Sequence, residues 1–93
     1  MLSKIPLNLE KVSKEKLDQE ILRLSMIAEL DAVSLYEQLA ATTENEKIKK
    51  ILLDVAKEEK THIGEFQALL LEIDKEQVQE LEEGKKEVEE LSE

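Results

Sequence analysis

Residues 48–73 read IKKILLDVAKEEKTHIGEFQALLLEI, and within them Ile48, Leu52, Val55, Glu59, His62, Phe66, Leu69 and Ile73 follow one another in alternating steps of four and three. Residues at that spacing share the buried stripe of a helix. Two central members, Glu59 and His62, are ionisable. An unpaired carboxylate on such a face costs several kcal/mol or is forced neutral, and a bound metal ion removes the cost. An earlier stretch repeats the pattern with Leu22, Met26, Glu29, Val33, Tyr36 and Ala40, again with a carboxylate near the middle. The two stripes together supply one lone Glu and one Glu-x-x-His.

Composition agrees with long helices. Of 93 residues, Tyr36 and Phe66 are the only aromatics, there are two glycines and one proline, and Glu, Lys and Leu dominate. The expected fold class is all-α. A chain of this length buries only about 60–65% of its unfolded surface as a monomer, so a partner chain is expected. Thirteen basic and 23 acidic residues give a net charge of −10, which argues against nucleic acid and anionic membrane as partners. With no cysteine, disulfides and thiolate metal sites are excluded, and oxygen-rich ligation suits harder metals or iron. The longest apolar run, residues 68–71, falls far short of the roughly 20 needed to span a bilayer. Lys4, Pro6, Asn8 and Glu10 interrupt any signal-peptide core. A soluble intracellular protein is the default expectation.

Three segments are expected along the chain. Residues 1–12 hold the only proline and no sustained period, which suggests an extended arm able to drape over a neighbour. Ser13 is a natural N-cap for a helix running to about residue 41, and Thr43-Glu44-Asn45-Glu46 fits a capping box that opens a second helix. So short a connection makes antiparallel neighbours, each helix about 42 Å long at 1.5 Å per residue. Residues 13–73 therefore read as an α-hairpin. Residues 74–93 open on another plausible cap, Asp74-Lys75-Glu76-Gln77, followed by a thin stripe of Val78, Leu81, Val88 and Leu91 broken by Gly84. This acidic segment carries nine acids against three lysines, a net of −6, and is expected to be a weaker third helix that needs a partner to hold it or else is mobile.

Residues three apart on a helix can converge on one ion, as Glu59 and His62 do by spacing. Glu29 lies about as far before the predicted turn as Glu59 lies after it, so the lone Glu joins them from the neighbouring helix. Di-iron carboxylate bundles use a Glu from each of two helices and Glu-x-x-His from each of two others. A two-fold dimer of this hairpin supplies that whole set, completing a four-helix bundle. Either motif by itself has an ordinary explanation, since a Glu in a stripe can reach a helix edge or pair with Lys, and Glu-x-x-His is common by chance. Three such groups on adjoining stripes are less easily explained as decoration. Tyr36 is read as a packing residue or a partner behind the ligands, and Glu58 and Glu65 as solvated neighbours.

The segments spanning residues 28–38, AELDAVSLYEQ, and 58–62, EEKTH, resemble the two signature segments of encapsulated ferritins, and the likeness extends over roughly residues 15–90. The resemblance implies a half-ferritin: two long helices and a short third, a ferroxidase centre formed between two subunits, and dimers assembled into an annular decamer. It implies oxidation of Fe²⁺ to Fe³⁺ with O₂ as acceptor, feeding iron storage inside a cytoplasmic encapsulin nanocompartment built by an encapsulin shell protein. By position, Glu29, Glu59 and His62 match the iron ligands, one half-site per chain, and Tyr36 matches an aromatic near the centre. Family members can carry an outer acidic metal site beside the ligand Glu; here Ala28 takes one of its positions and the shorter Asp31 the other. No shell-targeting tail is legible after the third helix, which leaves open a separate cargo or a domain joined to the shell protein. The competing function is a non-catalytic helical assembly module holding a structural ion such as Zn²⁺. A ligand set dominated by carboxylates favours iron, because structural zinc sites are usually closed and rich in Cys and His.

Overall fold

The computed structural model describes Lys4 and residues 8–92. Single 3₁₀ turns at Leu9–Lys11 and Lys14–Lys16 lead into α1 (Leu17–Thr42), which is followed by α2 (Glu46–Ile73) and α3 (Lys75–Leu91). The described residues contain no strand, and the all-α expectation holds. Residues 1–3 and 5–7 of the predicted arm, Pro6 among them, lie outside the described residues. The part that is described includes a 3₁₀ turn and so is not extended throughout.

The helix boundaries follow local hydrogen-bond chemistry, and two differ from the sequence-based expectation. Ser13 does not cap α1: its carbonyl, not its hydroxyl, accepts the Lys16 N–H at 3.0 Å, closing a 3₁₀ turn that delays the α-helix to Leu17. At α2 the cap is Asn45, whose Oδ1 accepts from the N–H groups of Lys47 at 3.0 Å and Ile48 at 3.1 Å. Thr43 instead accepts from the Asn45 N–H at 3.2 Å. Asn caps at least as well as Thr, and placing it at the N-cap lets Thr43 close α1 by donating its own N–H to the Leu39 carbonyl. Asp74 caps α3 as expected, its Oδ1 accepting the Gln77 N–H at 3.0 Å. Gly84 does not interrupt α3, which runs through it to Leu91.

Contacts between α1 and α2 step inward from the open end in antiparallel order: Gln19 with Ile73, Glu29 with His62, Glu37 with Lys60. The hairpin does not close a core by itself. Among the described residues Ala40, Ala56 and Leu70 are the buried apolar ones, whereas the stripe members Ile48, Leu69 and Ile73 are 50%, 50% and 45% exposed and most of the others are only partly covered. Two helices can cover only one side of each other. α3 then leaves the hairpin instead of folding back along it, giving extents of 46 × 44 × 21 Å. The radius of gyration is 16.6 Å, against about 12 Å for a compact domain of this length. No helix among the described residues is long and apolar enough to cross a membrane.

Candidate metal centre

Midway along the hairpin, Glu29 of α1 meets Glu59 and His62 of α2. The antiparallel register brings the two helix centres level, and the three-residue spacing turns Glu59 and His62 to the same side. His62 Nδ1 lies 3.4 Å from Glu29 Oε2 and 3.4 Å from Glu59 Oε2. One ligand atom from each residue falls within 4.8 Å of the others. Donors about 2.0–2.2 Å from a common divalent ion sit about 3 Å apart when adjacent, so small rotamer adjustments suffice to close the set. The two carboxylates are 19% exposed and the imidazole 44%, so the cluster is recessed but open on one side.

The surroundings separate this cluster from an ordinary surface ion pair. Lys60, next to Glu59 in sequence, pairs with Glu37 at 3.3 Å, whereas Glu29 and Glu59 pair with His62. The carboxylates are thus turned toward an imidazole nitrogen that can ligate and not toward an ammonium that cannot. Two carboxylates and one imidazole fit iron, which accepts mixed nitrogen and oxygen ligation. Three donors leave coordination positions free. Tyr36 is half-buried one heptad along α1 from Glu29, and Glu58 and Glu65 are exposed and outside the cluster. Asp31 is buried, engaged by other groups, and also outside it.

A second polar group, at the open end of the hairpin, was not foreseen as a unit. Arg23 Nη2 donates to Asp74 Oδ2 at 2.9 Å, and Gln19 Nε2 donates to the Ile73 carbonyl at 3.1 Å. The cap motif at Asp74 was legible; its reach to Arg23, 51 positions away, carries no local signal.

A family model described as rubrerythrin matches residues 20–93. The crystal structure of an encapsulated ferritin domain from Pyrococcus furiosus matches with a TM-score of 0.83 at 56% identity, covering 98% of this chain and 95% of that one. The chain belongs to the rubrerythrin family as an encapsulated ferritin-like domain. It is 62% identical over 80 residues to the ferritin-like-encapsulin shell fusion protein of Pyrococcus furiosus, covering 86% of this chain and 23% of that protein. With the encapsulin nanocompartment cargo protein EncC of Myxococcus xanthus it shares 39% identity over 69 residues, 71% of this chain and 53% of that one. This ferritin-like domain therefore spans well under two thirds of either relative. Rubrerythrin-type proteins typically bind iron, and the Glu29, Glu59 and His62 donor set is consistent with an iron-related function.

Proposed function

We propose that this encapsulated ferritin-like domain is a ferroxidase, oxidising Fe²⁺ at a dinuclear centre formed when two copies bring their half-sites together. The observation that carries the proposal is the convergence of Glu29, Glu59 and His62 on a side of the hairpin left open to a partner. Iron is the substrate, and its two ferrous ions pass electrons to dioxygen as the expected acceptor. Glu29 and Glu59 supply negative charge that stabilises the ferric product more than the ferrous reactant, while His62 orients the cluster from α2. Two-fold pairing doubles the set to four carboxylates and two imidazoles and covers the half-exposed stripes. Tyr36 is assigned to the wall behind the ligands. Asp31, buried and already engaged, is given no separate role in metal uptake.

A domain of 93 residues is too small to enclose a mineral core, so in this reading the product is stored outside it. The relatives named for an encapsulin shell fusion and an encapsulin cargo support a nanocompartment as that place, with an encapsulin shell protein as partner and the cytoplasm as location. The dimer is the unit that forms the site, and the annular decamer is its proposed assembly. Aerobic addition of Fe²⁺ is expected to give a ferric absorbance whose first phase saturates near one iron per chain, and Zn²⁺ is expected to block it, because zinc takes similar ligands without changing valence. If assembled protein oxidises iron no faster than buffer while zinc alone raises its melting temperature, the chain is a structural zinc module instead.

A further inference from the structure

The joint between α2 and α3 is one residue long. Asp74 closes α2 by donating its N–H to the Leu70 carbonyl at 2.9 Å and opens α3 by accepting the Gln77 N–H, and its backbone at φ −123°, ψ 86° is where the chain changes direction. A third tie comes from α1. Arg23 donates to the Asp74 carboxylate at 2.9 Å, is itself steadied by Glu20 at 3.6 Å and Gln19 Oε1 at 3.4 Å, and Gln19 holds the last carbonyl of α2. Asp74 is buried, so this ion pair is shielded from water on the acid's side.

Within a single chain, apolar packing does little of the same work. No residue of α3 is buried, and Val88 and Leu91 are 66% and 88% exposed. Where the root of α3 faces the hairpin there is an open groove of about 430 Å³ instead of a packed seam, lined by Met26, Ile27, Leu30, Leu70 and Leu81 together with the polar Arg23, Gln67 and Gln77. An unfilled groove forgoes the dispersion contacts that would resist tilting of a helix across it. We propose that Gln19, Arg23 and Asp74 form a polar latch that sets the angle of α3 to the hairpin, and that α3 swings about Asp74 when the latch is released. The device governs the direction in which the exposed α3 stripe is presented and is independent of iron chemistry.

The chain has no cysteine, so spin labels can be placed at Lys57→Cys on α2 and Lys86→Cys on α3 and the distance between them read by pulsed electron resonance, with labelled chains diluted in unlabelled ones. The full chain is expected to give one narrow distance distribution. Arg23→Ala, which leaves the Gln77 cap intact, is expected to lose it in favour of a broad one with helix content unchanged. Asp74→Asn, which keeps a capping oxygen but not the charge, is expected to do the same, and Leu81→Ala to leave the distribution narrow. Narrow distributions in both latch variants overturn the proposal, as does broadening by Leu81→Ala alone, which would make packing the determinant. Loss of α3 helicity in Arg23→Ala also overturns it, because the pair would then build the helix and not aim it.

Discussion

Glu29, Glu59 and His62 face one another with no lysine between them, so each is expected to be needed for ligation and none for the helices. Glu29→Ala, Glu59→Ala and His62→Ala are each expected to slow initial ferrous oxidation at least about tenfold, since losing even a residue behind a metal ligand costs 10–100-fold. Helix content by circular dichroism should stay at the wild-type level, and near-wild-type rates in all three would refute the assignment. Asp74 makes a separate residue-scale prediction. The Gln77 N–H bond foremost, then the hydrogen bond and charge of Arg23 and the charge of Lys16, hold its pKa below the ordinary 3.8, while its burial works in the opposite direction. Because the folded value is the lower one, ionised Asp74 stabilises the fold fully above about pH 4 and progressively less as pH falls through the lowered value. Urea melts of metal-free protein should therefore show Asp74→Asn losing less stability than wild type between pH 7 and pH 3.

The hairpin's elements are held by caps at their ends and by incomplete packing along their length. Asn45 satisfies two otherwise free amides at the start of α2, so Asn45→Ala is expected to cost about 1 kcal/mol in denaturant unfolding. Gly84 makes the opposite case. It sits inside α3 with ordinary helical backbone, and a Cβ built there meets nothing within 4 Å. Gly84→Ala should therefore stabilise α3 by about 0.5–1 kcal/mol, seen as slower amide exchange across Lys75–Leu91. Residues 74–93 were expected to form a weak helix on the grounds of charge and a broken stripe. Spacing alone could not show that the helix continues through Gly84, because a glycine costs a helix about 1 kcal/mol without forbidding it.

Viewed whole, the chain is a hairpin with one arm thrown out, whose stripes are only partly covered and whose proposed metal ligands would be half a set. The proposed pairing of two copies would relieve both conditions at once. Metal and dimerisation are thus expected to be linked, each strengthening the other's apparent affinity. Sedimentation with and without anaerobic Fe²⁺, or with Zn²⁺, should show a tighter dimer when metal is present. An unchanged association constant would count against an interfacial centre.

Periodicity and short-range spacing were enough to determine the all-α class, the hairpin and the juxtaposition of Glu29 with Glu59 and His62. Steps of four and three fix which side chains share a helix face, and a short turn fixes the register of the two helices, so the matching level of these three residues followed from arithmetic along the chain. Helix starts were legible only approximately, since Ser13 and Thr43 were chemically able to cap and were outcompeted by a 3₁₀ turn and by Asn45. The burial of Asp31, the course of α3 away from the hairpin and the tie from Arg23 to Asp74 were decided by tertiary structure alone. Each depends on where residues distant in the chain come to rest in space, and no local propensity or period encodes that distance.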